Sequence, residues 1–131
     1  MALQVELVSP ERILHSGEAD MVVCRTIGGG EIAFLTGHEP FLAALDIATV
    51  RIKTTDGDYM VAAVHGGFVH VSEDKVIVLS DVAELPDQID VDRARRAKEA
   101  AERRQGNEDE AEEAEAALRR ANVRLEVAER K

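Results

Sequence analysis

The chain has 131 residues, of which 45% are apolar and only 3% aromatic, and its formal net charge at pH 7 is −10. The apolar fraction is sufficient for a buried core, but the shortage of aromatic rings excludes the stacking surfaces that bind single-stranded nucleic acid. Because an acidic chain repels phosphate backbones, we expect no nucleic-acid partner. No apolar run approaches the roughly 20 residues of a membrane-spanning helix, so we expect no direct membrane insertion, and we expect no secretion. A single cysteine, Cys24, is typical of a reducing compartment and is predicted to lie in the core.

The composition changes near Pro86, which predicts two parts. Residues 1–87 carry 14 acidic and 5 basic side chains, with eight of the nine glycines and all three prolines. Residues 88–131 carry 12 acidic and 11 basic side chains and no aromatic residue. We therefore predict an N-terminal domain over residues 1–86 and a C-terminal domain over residues 87–131.

The first part shows the period-two alternation of β-strands. Apolar side chains alternate with polar ones over residues 3–7 and again over 50–54. Asp56-Gly57 is a strong hairpin signal before a strand at 59–64, and Gly66-Gly67 separates that strand from one at 68–71. Because turn signals recur about every 8–12 residues, the sequence predicts an antiparallel sandwich or barrel of eight to ten short strands.

The second part is predicted to form two antiparallel helices. Asp90 is the expected cap of the first helix, and Gly106 is its expected stop. Asn107 and Glu110 have the spacing of a capping box for the second helix. Small residues line the apolar side of the first helix: Ala94, Ala97 and Ala101.

The apolar seam of the second helix is also rich in alanine, with intervals of 3, 4, 3, 4 and 3 residues. It consists of Ala111, Ala114, Leu118, Ala121, Leu125 and Ala128. Because alanine buries little area, we expect the hairpin to dock weakly and to be able to change partners. The same pattern also fits a solvated coiled-coil stalk that does not move, and both alternatives stay open.

No residue pattern predicts catalysis or a metal site. The four histidines have no zinc-ligand spacing with the cysteine, and no Ser-His-Asp, Cys-His or paired-carboxylate arrangement stands out. The run Gly28-Gly29-Gly30 lacks the Lys-Ser/Thr ending of a phosphate loop. We therefore predict no catalytic residues and no metal ligands.

Six segments in order along nearly the whole chain carry a family resemblance. The most recognisable are residues 30–42, which contain Gly37-His38-Glu39-Pro40, and residues 89–94, which read Ile-Asp-x-x-Arg-Ala. The others are residues 5–11, 50–52, 66–69 and 76–81, with Asn122, Arg124 and Leu125 resembling the pattern of the second helix. Together they resemble the epsilon subunit of the bacterial F-type rotary ATP synthase.

The resemblance implies a non-catalytic subunit of the central stalk. Its implied fold is a β-sandwich of about ten strands in two five-stranded sheets, followed by a C-terminal antiparallel helical hairpin. The implied partners are the gamma subunit and the c-ring, with the alpha and beta subunits added when the hairpin extends and inhibits ATP hydrolysis. The implied location is peripheral, at the cytoplasmic face of the bacterial plasma membrane.

The resemblance also implies a regulatory ATP site between the sandwich and the folded hairpin. The implied residues are Glu84, Asp90, Arg93, Ala94, Arg120 and Arg124. Arg120 and Arg124 are four apart, so both point to one face of a helix, and arginine suits phosphate because its guanidinium is planar and always charged. The alternative is that Asp90 only caps the helix and the arginines pair with nearby carboxylates.

Two loops are the implied partner contacts. Gly29, Gly30 and Glu31 correspond to the loop that touches the c-ring, and His38 to a contact with gamma. The alternatives are an ordinary flexible connection and a solvated turn histidine. A different class of protein is also open, namely a free-standing acidic β-sandwich that binds a small ligand and dimerises through its hairpin.

Overall fold

The computed structural model describes residues 2–129 of the chain. This part contains seven β-strands, one 3-10 turn and two α-helices. The elements are β1 (Leu3–Ser9), β2 (Arg12–Thr26), β3 (Gly30–Phe34), β4 (Phe41–Thr54), β5 (Tyr59–Ser72), β6 (Lys75–Leu79), β7 (Ala83–Glu84), the 3-10 turn (Pro86–Gln88), α1 (Val91–Arg104) and α2 (Ala111–Ala128). The predicted class, a β-sandwich followed by a helical hairpin, is confirmed.

The strands form one hydrogen-bonded sheet that closes on itself. The strand order is β1-β6-β5-β4-β2-β3, β1 also pairs with β2, and β7 pairs with β5. The β1–β6 pair is parallel, and the other pairs are antiparallel. Because β1 joins β6 to β2, the sheet encloses its apolar side chains as a barrel-like sandwich.

The prediction of eight to ten short strands is wrong in number, because three strands are long and bend. The strands predicted at 59–64 and 68–71 belong to the single strand β5, which passes through Gly66 and Gly67 with φ angles of 88° and 119°. A Cβ atom on Gly67 would lie 2.1 Å from the carbonyl oxygen of Leu79. Glycine therefore lets β5 bend against β6 without interrupting the hydrogen-bonded ladder.

The sandwich core consists of alternate residues from six strands. Leu3, Val5 and Leu7 are fully buried, which confirms the predicted alternation in β1. Cys24 is buried as predicted, and its burial raises the pKa of the thiol to about 12. Further core residues are Val22, Phe34, Leu45, Val50, Ile52, Ala62, Val64, Val69, Val71, Val76 and Val78.

The hairpin begins with the cap that the sequence predicts. The backbone N–H of Arg93 donates a 3.0 Å hydrogen bond to Oδ1 of Asp90, the residue before α1. The capping box predicted at Asn107 and Glu110 is wrong: Oδ1 of Asn107 accepts a bond from the N–H of Asp109. The N–H of Glu110 donates to the carbonyl oxygen of Asn107, so residues 107–110 form a turn, and α2 begins at Ala111. Between the helices, the buried alanines are Ala94, Ala101, Ala114 and Ala121.

The hairpin packs on the sandwich through Val123, Val127 and Ala128 of α2, of which Ala128 alone belongs to the predicted seam. Val127 is fully buried and forms a small apolar cluster with Val61, Ala63 and Ile89. Val123 packs against the same cluster from one turn earlier in α2. The solvated stalk considered from the sequence is therefore not the arrangement in this structure, in which the hairpin is docked.

Candidate functional site

A cavity of about 320 Å³ lies where the docked hairpin meets the end of the sandwich. Its walls come from β7, the 3-10 turn, the first turns of α1 and the middle of α2. The lining residues are Glu84, Gln88, Asp90, Arg93, Ala94, Ala97, Ala117, Arg120 and Arg124. Eight of the nine lining residues belong to residues 87–131, and Glu84 closes the cavity from the sandwich side while the hairpin is docked.

Three arginines give the cavity its donors, and they differ in how they are paired. Nε of Arg124 donates a 2.7 Å hydrogen bond to Oε1 of Glu84, and Nη2 of Arg120 donates a 3.0 Å bond to Oε1 of Glu113. The side chain of Arg93 makes no hydrogen bond or ion pair with any residue between 2 and 129. Arg93 is therefore the guanidinium that is available to an anion entering the cavity.

Glu84 is the carboxylate on the sandwich side of the cavity. Oε1 of Glu84 accepts from Arg124 and also lies 2.9 Å from Nε2 of His65 on β5. Burial by itself raises the pKa of Glu84, but the hydrogen bonds from His65 and Arg124, with their charges, outweigh it and hold the pKa below its usual value. Glu84 is therefore ionised at neutral pH and connects strand β5 to helix α2.

The structure brings together all six residues that the resemblance assigned to nucleotide. Glu84, Asp90, Arg93, Ala94, Arg120 and Arg124 all line the one cavity. The sequence reasoning did not assign Gln88, Ala97 or Ala117 to the site, although Ala97 stood in the predicted apolar side of α1. It also missed His65, because nothing local connects His65 to Glu84, 19 residues later.

The two predicted partner loops lie at opposite ends of strand β3. Gly28 in the turn before β3 and Gly30, the first residue of β3, adopt positive φ angles. The carboxylate of Glu31 pairs with Arg51 and, at 3.8 Å, with Arg25. The charge predicted to be offered to a partner is thus already engaged within the sandwich. Gly29 lies between these two glycines and is the last residue of the turn.

His38 lies in the turn that follows β3. Its ring makes edge contacts with Phe34 and Phe41, at centroid distances of 4.9 and 6.0 Å, and its Nδ1 lies 2.7 Å from the carbonyl oxygen of Glu39. Because the five residues of β3 span roughly 13 Å, His38 and Glu31 belong to separate surfaces.

An exposed apolar surface crosses the outer face of the sandwich, and the sequence analysis did not find it. Leu42, Phe68 and Ile13 are 68%, 54% and 61% exposed. Phe68 is the cross-strand neighbour of Leu79, Leu79 of Val8, and Val8 of Ile13, so these side chains share one face. We call the set the outer apolar patch: Val8, Ile13, Leu42, Phe68 and Leu79.

Two kinds of site are not found in the described part of the chain. Between residues 2 and 129, no group of three or more His, Cys, Asp or Glu side chains is arranged to hold a metal ion. Within the same residues, no helix is long and apolar enough to cross a membrane.

Comparison with known proteins assigns both parts of the chain to one class. The family described as "ATP synthase, Delta/Epsilon chain, beta-sandwich domain" matches residues 2–86. The family described as "ATP synthase, Delta/Epsilon chain, long alpha-helix domain" matches residues 87–129. Fold and sequence together thus define a two-part chain of the ATP synthase delta/epsilon class.

Curated relatives make the assignment more specific. The chain is 46% identical over 123 residues to the ATP synthase epsilon chain of Streptomyces griseus, covering 94% of this chain and 92% of that one. It is 44% identical over 132 residues to the epsilon chain of Halalkalibacterium halodurans, covering 98% of each chain. The chain belongs to the family of ATP synthase epsilon chains, and the resemblance stated from the sequence is confirmed.

Solved structures show the same fold at lower identity. A chain in the cryo-EM structure of the Euglena gracilis mitochondrial ATP synthase superposes with a TM-score of 0.83 at 24% identity, covering 97% of this chain and 81% of that one. A chain from the Tetrahymena thermophila mitochondrial ATP synthase superposes with a TM-score of 0.62 at 12% identity, covering 98% and 97%.

Proposed function

We propose that this chain is a non-catalytic subunit of the central stalk of an F-type ATP synthase, peripheral at the cytoplasmic face of the bacterial plasma membrane. The sandwich couples the gamma subunit to the c-ring, and the hairpin regulates ATP hydrolysis. The epsilon-chain relatives support the first role, because they match both parts of the chain at 44–46% identity. The alanine-rich seam and the small apolar docking cluster support the second, because they let the hairpin leave the sandwich at low cost.

The cavity between the sandwich and the hairpin is the main support for the proposal that ATP regulates the hairpin. It brings three guanidinium groups together, and its volume of about 320 Å³ lies at the lower end of the range for small-molecule sites, about 300–1,000 Å³. The unpaired Arg93 and the neighbouring Arg120 suit the phosphates of ATP, which acts here as a regulatory ligand and not as a substrate. No other cofactor is required.

ATP bound in this cavity would favour the docked hairpin. A ligand that binds one state only stabilises that state by RT ln(1 + [L]/Kd), which is about 1.4 kcal/mol, or tenfold in population, at ten times Kd. When ATP is scarce, the hairpin leaves the sandwich, extends along gamma toward the alpha and beta subunits, and blocks hydrolysis.

Calorimetric titration of the full chain with ATP tests the site. We expect heat of binding for the wild type and none for Arg93→Ala. The matched control is Arg95→Ala, because Arg95 lies on α1 and pairs with Asp92 but does not line the cavity. Absence of heat at millimolar ATP in the wild type would overturn nucleotide binding.

A separate experiment tests whether the hairpin inhibits ATP hydrolysis. Removal of residues 88–131 from an assembled ATP synthase should raise the rate of ATP hydrolysis and leave coupling to proton transport intact. An unchanged hydrolysis rate would overturn inhibition by the hairpin and leave coupling as the function.

The outer apolar patch is the surface that we propose for gamma. Three large apolar side chains more than half exposed on one face are typical of a protein contact. Phe68→Ser with Leu79→Ser should weaken binding to a gamma-containing complex at least tenfold in a pull-down titration. Tyr59→Ser is the control, since Tyr59 is similarly exposed but lies away from the patch, near Met21 and Val23.

The loops predicted from the sequence remain proposed contacts for the c-ring and gamma. Replacing Glu31 and His38 together should weaken assembly without changing the circular dichroism of the isolated chain. Because Glu31 is already paired with Arg51, its replacement by Gln changes the charge of this surface more than its shape.

A further inference from the structure

The side chain of His65 is almost fully buried in the sandwich, and it contacts the carboxylate that bonds to the hairpin. Its side chain is 4% exposed on strand β5, and its Nε2 lies 2.9 Å from Oε1 of Glu84. The same oxygen accepts the 2.7 Å hydrogen bond from Arg124 of α2. One carboxylate oxygen is thus shared by a donor from the sandwich and a donor from the hairpin.

The geometry points to a positioning role for His65: by holding the carboxylate of Glu84, it directs that carboxylate at Arg124 and so stabilises the docked hairpin. This His65–Glu84–Arg124 relay acts without a bound ligand. It rests on the proposed movement of the hairpin but not on the binding of ATP.

The partners of the imidazole determine which of its nitrogens carries the proton. An ionised carboxylate only accepts hydrogen bonds, so Nε2 of His65 must be the donor to Glu84. Nδ1 of His65 is buried and has no partner among residues 2–129. The hydrogen bond to Glu84 therefore requires a proton on Nε2.

Two backbone interactions keep β7 beside His65 and so fix the backbone position of Glu84. The backbone N–H of His65 donates to the carbonyl oxygen of Val82, and Ala63 is the strand partner of Glu84. The remaining freedom of Glu84 is the rotation of its side chain toward solvent. Without the bond from His65, that rotation would compete with the bond to Arg124 and loosen α2.

Single-molecule fluorescence transfer on the full chain measures the docked and undocked populations directly. Dyes are placed on cysteines introduced at Glu11 and Glu108, which are both exposed. Cys24 does not compete for the dyes, because it is buried and burial raises its thiol pKa to about 12. ATP is left out of the sample.

His65→Leu should lower the ratio of docked to undocked chains roughly tenfold, because the carboxylate loses one of its two donors. His65→Gln should restore the ratio to within about twofold of wild type, since the glutamine amide N–H reaches a position similar to Nε2–H. In the Arg124→Met background, His65→Leu should have no further effect, because residues of one network are not additive.

The controls separate this relay from a general loss of structure and from the nucleotide site. Far-ultraviolet circular dichroism and a cooperative melt verify that each variant retains its sandwich. A His65→Leu chain that stays docked like wild type, or a Gln variant as undocked as the Leu variant, would overturn the relay. So would additive effects of His65→Leu and Arg124→Met. A failure of ATP to bind would instead appear in the calorimetric titration and leave these outcomes unchanged.

Discussion

Nη1 of Arg119 on α2 lies 3.0 Å from Oδ1 of Asp46 on β4, a residue 73 positions earlier in the chain. This ion pair and the one between Arg124 and Glu84 both connect the hairpin to the sandwich, but their surroundings differ. The side chain of Arg119 is about half exposed, whereas that of Arg124 is less accessible and bonds to a carboxylate already held by His65. The two pairs should therefore contribute unequally to docking.

Loss of the Arg119–Asp46 pair should weaken the docking of the hairpin only slightly. We expect Arg119→Ala to weaken docking by about 0.2–1 kcal/mol, the range for solvent-exposed pairs, and to do so less in high salt. Arg124→Met should weaken docking more and with less dependence on salt, because it leaves the partly buried carboxylate of Glu84 with His65 as its remaining donor. Docked populations measured by fluorescence transfer at two salt concentrations would test this order. Equal effects of the two changes would contradict it.

Val127→Ala should weaken docking by removing apolar contact. The change deletes two methyl groups from a fully buried side chain, so a loss of roughly 1–2 kcal/mol is expected at about 0.8 kcal/mol per group. The docked population should fall about tenfold, while the melting temperature of the sandwich stays near that of wild type. Leu118→Ala is the control, since Leu118 is not part of the docking cluster. A larger effect from Leu118 would mean that the seam, and not the valine stripe, holds the hairpin.

Acid should release the hairpin through Glu84. Although burial raises the pKa of Glu84, the hydrogen bonds from His65 and Arg124 hold it below the ordinary value. A group with a depressed pKa stabilises the docked state fully above its ordinary pKa, about 4.3 for glutamate, and loses that contribution as pH falls through the lowered value. Fluorescence transfer between pH 7 and pH 3 should show undocking at the acid end of this range. In Glu84→Gln, the acid-dependent step should be absent and docking weak at every pH.

Gly67→Ala should destabilise the sandwich severely. The φ angle of 119° disfavours any side chain, and the new Cβ would meet the backbone of Leu79 and Ser80. We expect a loss of more than about 3 kcal/mol, because strain and steric overlap add. Gly106→Ala is the comparison, since a Cβ there meets nothing within 4 Å. Urea unfolding of both variants would show the difference, and similar midpoints would argue against a constraint at Gly67.

The sandwich should fold without the hairpin. Residues 1–86 contain all seven strands, and their core is formed by residues of the strands themselves, with Val61 and Ala63 as the side chains uncovered by truncation. A fragment of residues 1–86 should therefore give a β-type circular dichroism spectrum and a cooperative melt. A non-cooperative melt would show that the predicted boundary divides one folding unit.

Much of the secondary structure, and six of the nine residues that line the cavity, were predicted from the sequence. Alternation in β1, the hairpin at Asp56-Gly57 and the Asp90 cap depend on residues within a few positions of each other, so local physics determines them. The six residues that the resemblance implies for nucleotide binding came from motif resemblance and not from local physics. Their convergence on one cavity is a property of the docked hairpin.

The tertiary structure decided which faces meet. The sequence showed an alanine seam on α2, but Val127 and Val123 lie outside that seam, and the positions of β4 and β5 make these valines part of the docking surface. In the same way, His65 and Phe68 lie on one strand, yet the first is buried beneath Glu84 and the second is exposed beside Leu79. Burial and charge pairing depend on neighbours 19, 40 or 73 residues away, and periodicity along the chain contains no information about such distant partners.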